Sequence, residues 1–365
     1  MDRPLIIAYY LPQYHPIPEN DEWWGKGFTE WTNVAKAKPL FKGHYQPKIP
    51  ADLGFYDLRV PEVREQQAEL AREAGVDGFC YWHYWFGKGK QLLERPFNEV
   101  VESGKPDFPF CLGWANESWE AKVWNKNGVK TRKILIEQTY PGLDDIDNHF
   151  YSLEKAFKDP RYIRIDNRPI FHIYQPLDHP NIQQFMDRWN YLINKEKIAE
   201  KFYFIAGAKD SNYSKMIEYG FDAAVLNLAS RMENPYKKNS IIFRAFHYFF
   251  RLVFHKPLLI SYQDSLKYLW NDKTDSNEFI IPSLLPNWDH SPRSGNMYSI
   301  LTECTPQLFK KLCLRALNGV KAKKNKIIFL KSWNEWGEGN YMEPDLKFGK
   351  GYIKALADAK KEIFP

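Results

Sequence analysis

The sequence predicts a (β/α)8 barrel of the TIM type, an α/β fold with long loops at the C-terminal face and an insertion after strand six. Three observations predict it. Eight apolar runs of strand length recur along the 365 residues, most of them followed by a segment of helical period. Most runs are continuously apolar and not alternating, as strands buried on both faces should be. Carboxylates, amides and large rings gather after the C-terminal ends of the runs. The N-terminal ends carry only capping residues: Arg3-Pro4, Pro109, Arg168-Pro169 and Asn325-Lys326. One-sided chemistry of this kind is what a barrel mouth requires.

Pro4–Tyr10 opens the series and ends in Tyr9-Tyr10-Leu11-Pro12-Gln13-Tyr14-His15. A long loop, Pro12–Pro61, is rich in Trp and Tyr and is expected to pack over the mouth. The helix Pro61–Gly75 has Pro where the first turn has no use for an N–H, and Gly at its stop. Asp77–Tyr81 runs into Trp82-His83-Tyr84-Trp85 and then a helix through Leu92–Ser103. Phe108–Trp114 leads to Ala115-Asn116-Glu117 and a helix near Asp144–Lys158. Pro169–Tyr174 precedes a helix near Asn181–Ile198, and Phe202–Ala208 precedes Tyr213–Tyr219. Phe221–Leu226 ends at Asn227 and is followed by the insertion, about 228–277. Phe279–Leu285 runs into Asn287-Trp288-Asp289-His290, with a helix near Thr305–Val320. Lys326–Leu330 is the eighth run, and a helix at about Gly351–Ile363 follows. The whole of 1–365 thus reads as one domain. No G-x-G-x-x-G follows any run and no P-loop is present, which speaks against a doubly wound nucleotide-binding sheet.

Composition excludes several classes. Hydrophobic residues make up 44% and charged residues 26%, the balance of a soluble globular protein. The net charge of +6 comes without an Arg/Lys block of nucleic-acid type, so no nucleic-acid partner is expected. The densest run, Lys321–Lys326, reads as a solvated helix end. Cys80, Cys111, Cys304 and Cys313 form no C-x-x-C pair and suit reduced, buried thiols. With no basic leader or long apolar span, the expectation is a cytoplasmic protein. Nine histidines show no H-E-x-x-H, and Asp145-Ile146-Asp147 opens a helix, where capping explains it. No metal or cofactor is expected.

The chemistry concentrates in Lys331-Ser332-Trp333-Asn334-Glu335-Trp336-Gly337-Glu338-Gly339-Asn340-Tyr341-Met342-Glu343-Pro344. Carboxylate pairs flanked by flat rings are what glycosidic-bond chemistry needs: one group handles the leaving oxygen, the other the nucleophile, and rings stack on sugar faces. Glu335 and Glu338 are the acid/base candidates, close enough for one to keep its proton near neutrality. Glu343 reads as structural. Candidate sugar contacts are Tyr10, Gln13, His15, His83, Trp114, Asn116, Glu117, Trp288, Asp289, Trp333 and Asn334. Tyr10, His83, Trp114, Glu117, Asp289, Glu335 and Glu338 are expected around one cavity. Glu117 reads equally as an ion-pair partner of Arg132 or Lys122, and Arg293 is placed to hold Asp289. In the insertion, 241–256 alternates a basic stripe with Phe. That fits an interfacial helix at the inner membrane or a helix packed over the barrel.

Several motifs carry a resemblance over nearly the whole chain: Ala8-Tyr9-Tyr10-Leu11-Pro12-Gln13-Tyr14-His15-Pro16, Trp23-Trp24-Gly25-Lys26-Gly27-Phe28-Thr29-Glu30-Trp31, His44-Tyr45-Gln46-Pro47, Asp77-Gly78-Phe79-Cys80-Tyr81-Trp82, Trp114-Ala115-Asn116-Glu117 and Trp333-Asn334-Glu335-Trp336-Gly337-Glu338-Gly339. The chain resembles the WbsX-type glycosyltransferase, or glycoside-hydrolase-family-99-like, group. The resemblance implies a (β/α)8 barrel acting on an oligosaccharide or polysaccharide of O-antigen or capsule type, lipid-linked forms included. In the hydrolases, which are endo-α-mannosidases, the first Glu of an E-W-x-E loop deprotonates the sugar 2-hydroxyl and the second is the acid/base. Carried over, Glu335 is the base and Glu338 the acid/base. The hydrolases have His where this chain has Gly337, which leaves the sugar open. A sugar-nucleotide-dependent transferase and a non-catalytic sugar-binding protein are the alternatives.

Overall fold

Parallel pairing closes the eight runs into a ring. The computed structural model describes residues 3–124, 130–232 and 256–365, with Phe249 and Val253 as isolated positions. The strands β1 (Leu5–Tyr10), β2 (Gly78–Trp85), β3 (Phe110–Trp114), β4 (Arg168–Ile173), β5 (Tyr203–Ala208) and β6 (Ala223–Leu226) pair in chain order. The seventh strand, β7, is two short pieces, Ile280–Ile281 and Ser283–Leu284, on either side of Pro282. The first piece pairs with β6 and the second with β8 (Ile327–Leu330), which returns to β1. Proline has no N–H for a ladder, so the change of partner falls where one bond is missing anyway.

A helix follows each strand. The ring comprises α1 (Pro61–Ala74), α2 (Arg95–Ser103), α3 (Leu143–Lys158), α4 (Ile182–Lys195), α5 (Tyr213–Glu218), α6 (Tyr262–Leu269), α7 (Pro306–Lys321) and α8 (Gly351–Ile363). Local chemistry sets their ends. Pro61 and Pro306 occupy first turns, Thr305 accepts from the Leu308 N–H, and Gly75 stops α1 in the left-handed region at φ 78°.

Side chains alternate between the barrel interior and the helix layer. Tyr9 faces inward: its ring stacks on Trp82 at 4.7 Å and meets Phe329 at 4.9 Å. The neighbouring positions face the helices. Tyr81 meets Phe97 of α2 at 5.3 Å, and Trp114 meets Phe185 of α4 at 5.1 Å. The interior is tight at Gly207 of β5, where a Cβ would stand 2.0 Å from the Tyr174 carbonyl oxygen. Backbone cannot yield as a flexible side chain can. Gly207→Ala is therefore expected to destabilise the fold by about 1–3 kcal/mol, seen as a lower urea midpoint. An unchanged midpoint would mean that strands β4 and β5 separate without penalty.

Two expectations need correction or bounding. Lys323, read as solvated, is 4% exposed and donates to the Asp275, Asn277 and Ile280 carbonyls at the entry to β7; burial brings its ammonium down to about 8. A run of lysines records average polarity and does not show that one of them turns inward. The stripe 241–256 lies outside the described residues except for Phe249, Val253 and Lys256. Among the described residues, no helix is long and apolar enough to cross a membrane. The described part of the insertion contributes Leu259–Ser261, which pairs in parallel with Ile300–Thr302.

Candidate active site

The chain leaves β8 into a short hairpin, in which Asn334–Glu335 pairs antiparallel with Asn340–Tyr341 around a 3-10 turn, Trp336–Glu338. Gly339 closes the turn at φ 54°, a conformation that favours glycine. Loop Pro12–Pro61 packs over this hairpin, as expected of it. Asn334 clamps Leu11, accepting from its N–H at 2.7 Å and donating to its carbonyl at 3.0 Å. The Tyr14 hydroxyl donates to the Asn334 carbonyl and accepts from the Trp336 N–H. Glu343 lies beneath, accepting from Trp336 Nε1 at 2.6 Å, Gln67 Nε2 at 2.6 Å and Tyr56 Oη at 2.9 Å. Burial raises it to about 7 against those bonds, which suits the structural role expected of it.

The two carboxylates of the turn have opposite environments. Glu335 is 6% exposed; its Oε1 accepts from Trp82 Nε1 at 3.1 Å and its Oε2 from Ser332 Oγ at 3.0 Å. Burial first, and the charge of Glu338 second, raise it to about 7, with Lys331 and Arg293 pulling the other way. Glu338 is half-buried, and that loss of solvent alone would raise it. Arg293, whose Nη1 donates to Oε1 at 2.7 Å, and His290, with Nε2 at 3.6 Å, outweigh burial and hold it ionised well below the ordinary range. One carboxyl thus exchanges its proton near neutrality while its neighbour does not, the separation on which acid–base division of labour depends.

Beside Glu335, the inward faces of β1, β2 and β4 open a cavity of about 170 Å³ lined by Tyr9, Trp82, His172, Tyr174 and Lys331 among others. This is smaller than the ~300–1,000 Å³ of drug-sized pockets and suits one small ring. Its walls are ordered by contacts among themselves: Tyr9 Oη lies 3.2 Å from His172 Nε2, and Trp82 meets Tyr174 edge-on at 5.5 Å. Lys331 Nζ stands 5.3 Å over the Trp288 ring.

The expectation that seven named residues share one cavity is only partly met. Glu335, Glu338 and Glu117 share one electrostatic neighbourhood at the mouth. Glu117 is exposed, and crowding by protein first, then the Glu338 charge, raises its carboxyl. The Arg132 and Lys122 side chains, its alternative partners, lie outside the described residues. Tyr10, His83 and Trp114 point the other way. The Tyr10 hydroxyl donates to Gln67 of α1. His83 Nε2 meets His149 of α3 at 2.8 Å, and Trp114 Nε1 donates to the Trp85 carbonyl. The reason is strand parity: in a run apolar on both faces, composition does not mark which alternate residues turn inward.

Asp289 lines a second cavity, about 110 Å³, behind the turn. Arg293 does not hold it. His44 Nε2 at 2.8 Å, Gln46 Nε2 at 2.6 Å and the Ser291 N–H at 3.0 Å do, keeping it ionised despite burial. Asn116 spends its amide on Gln175 and Tyr140, bridging the loops after β3 and β4. Trp333 packs in the core near Phe79, and Asn334 is used on Leu11. His15 is buried near Asp57 and Arg59, and burial lowers it to about 4. Gln13 is half-buried and accepts the Glu30 N–H through its carbonyl. Trp288 meets the site through Lys331. Sequence reading missed Tyr9, Trp82, Tyr174, Lys331 and Glu30 as site residues. The first two stood next to chosen positions, on strands whose two faces are both buried. Among the described residues, no cluster of His, Cys, Asp and Glu could hold a metal ion.

Comparison with known proteins gives the family. A family model described as glycosyltransferase WbsX matches residues 6–356. Two proteins called uncharacterized protein WxcX, from Xanthomonas campestris pv. campestris strains ATCC 33913 and B100, are each 34% identical over 368 residues. The alignments cover 97% of this chain but 49% of those proteins, so the chain spans about half the length of these relatives. Among solved structures, a glycoside hydrolase-like protein superposes with a TM-score of 0.59 at 16% identity, covering 98% of this chain and 94% of that one. The GH99 endo-alpha-mannosidase from Bacteroides thetaiotaomicron, in complex with bis-tris-propane, gives 0.58 at 14% identity, covering 98% and 97%. At such identities the likeness is one of fold. The match over almost all of the barrel says that the chain belongs to the glycosyltransferase WbsX family.

Proposed function

We propose that the chain is a carbohydrate-active enzyme that makes or breaks a glycosidic bond in a cell-surface polysaccharide or its precursor, with Glu335 and Glu338 as the reacting pair. The observation that carries the reading is the split between the two carboxyls, in one turn beside a ring-lined cavity. Glu335, near 7, is a stronger base than an ordinary carboxylate and suits taking a proton from a sugar hydroxyl that attacks the anomeric carbon. Glu338 meets the leaving oxygen. To protonate it, Glu338 has to be drawn off Arg293 by the incoming substrate. Lipid-linked precursors and a cytoplasmic location belong to the same proposal.

One observation favours a second reading, transfer from a sugar nucleotide. A Glu338 held ionised has no proton to give, and a diphosphate leaving group needs none. A panel of α-linked oligosaccharides, incubated with and without nucleotide sugars, separates the two. Release of reducing ends without nucleotide supports retaining, glycosidase-like chemistry. Product formed only with a nucleotide sugar supports transfer. No product in either arm from a folded protein sinks both.

A further inference from the structure

We propose that Glu30, reaching from the loop after β1 into the space that a side chain at 337 would need, is a positioning residue for the Glu335/Glu338 pair and acts through Arg293. The geometry is specific. Arg293 faces Glu30 with two donors, Nε to Oε1 at 2.9 Å and Nη2 to Oε2 at 3.0 Å, and faces Glu338 with the third, Nη1 to Oε1 at 2.7 Å. A guanidinium presents its donors in a fixed fork, so the bidentate hold on Glu30 fixes where Nη1 points. Glu30 itself is 2% exposed, and its backbone N–H is tied to the Gln13 carbonyl at 3.1 Å. A Cβ at Gly337 would lie 1.7 Å from Glu30 Oε1 and 2.9 Å from Arg293 Nε. Gly337 is not in the left-handed region, so its backbone tolerates alanine, and the nearest atoms in the way of a side chain belong to Glu30 and Arg293.

The consequence is electrostatic as well as steric. Glu30 neutralises Arg293, which leaves enough cation to hold Glu338 ionised but limits its pull on Glu335. The other charged or titratable side chains facing the pair are Lys331 after β8, His290 beside Arg293 and Glu117 after β3. Tyr174 after β4 and Tyr84 of β2 also face it, and burial raises both phenols, keeping them neutral. None of these touches Arg293 as Glu30 does. Removing the Glu30 charge, or pushing it off Arg293, turns more positive charge on Glu335.

The inference rests on the proposed function for its meaning, but its test does not need turnover. The carboxyl carbons of glutamate are labelled with 13C and titrated by NMR in the whole chain. Glu30→Gln keeps the shape and drops the charge; Gly337→Ala pushes the Glu30 carboxylate aside without removing any ionisable group from the chain. Both are expected to move the Glu335 titration down by about one pH unit. Glu30→Asp, which keeps the charge, should restore most of the shift. With a substrate from the panel, the acid limb of kcat/KM should move by the same amount. In the double variant Glu30→Ala with Gly337→Ala the second change should add much less than it does alone, because the tightest clash, with the Glu30 carboxylate, is gone and only the 2.9 Å approach to Arg293 Nε remains. Folded variants with an unmoved Glu335 overturn the inference, and if Glu30→Gln does not fold, Gly337→Ala decides alone. A shifted titration in a protein without glycosidic activity upholds the inference and overturns the proposed function instead.

Discussion

Glu335→Gln should abolish turnover and, at pH 8, make the protein more stable. The two effects have one cause. Glu335 sits in a site that resists its charge, with burial and the neighbouring carboxylate raising it to about 7. Above that pH the native state carries an ionised carboxylate that the unfolded chain would ionise far more readily. The sign follows: a carboxyl whose folded pKa is raised contributes stability only while it stays protonated, and that contribution is lost as pH rises through 7. A shift of this size corresponds to about 3 kcal/mol. Glutamine removes the ionisation and still satisfies the site. Its carbonyl accepts from Trp82 Nε1, and its amide donates to Ser332 Oγ once that hydroxyl turns from donor to acceptor. Proton transfer is lost, an effect of about 10²–10⁴-fold. Glu338→Gln should lose activity too, but with the opposite stability sign, because Arg293 forfeits a charged partner at 2.7 Å. With an activated leaving group that needs no proton, Glu338→Gln should regain part of the first step and Glu335→Gln should not. Differential scanning calorimetry at pH 8 beside initial rates reads both halves. A Glu335→Gln variant that turns over at the parent rate would move the chemistry elsewhere.

The barrel was legible because each of its eight strands is a short apolar run bounded by Pro, Gly or charge, and such runs are hard to confuse with turns. β7 shows the limit: Pro282 splits it, and only the closed ring explains why two dipeptides act as one strand. At the site, the Glu335–Glu338 turn was legible from its own composition. What surrounds it was not. The choice of Tyr10 over Tyr9, and of His83 over Trp82, came from reading strand ends without a fixed parity, since both faces of these strands are buried. Glu30 and Arg293 escaped for another reason. They lie 263 positions apart in sequence, and a single chain gives no signal that joins them. Gly337 was noticed as a missing side chain, whereas its space is filled by Glu30 from the first loop.

Acid should unfold this protein early and steeply, between about pH 4 and 6. Five histidines, His15, His83, His149, His172 and His179, are buried. Burial lowers His83 to about 3, lowers His15, His172 and His179 to about 4, and holds His149 well below its ordinary value. Unfolded, each would bind a proton near 6.5. Their contribution is complete above 6.5 and is lost as pH falls toward the folded values, because only the unfolded chain takes up the protons. Glu335 and Glu343, both raised to about 7, work in the opposite direction, since the native state protonates them first. Among these seven groups, five against two leaves a net of three protons, or about 4 kcal/mol of stability lost per pH unit in that window. Domains hold about 5–15 kcal/mol in all, so little survives two units. The His83–His149 contact makes the point locally. At 2.8 Å, one Nε2 must donate and the other accept, and an imidazolium has no lone pair to accept with. His149 stacks flat on Trp85 at 4.7 Å, so a phenyl ring can take its place. Changing His83 to Leu and His149 to Phe together removes two of the five titrating groups. The slope should then fall to about 1.4 kcal/mol per pH unit, and the midpoint should move to lower pH. Circular dichroism from pH 8 to 3, with urea midpoints at each pH, measures both. A parent protein whose urea midpoint is flat from pH 6.5 to 4 would show that these histidines are not held neutral.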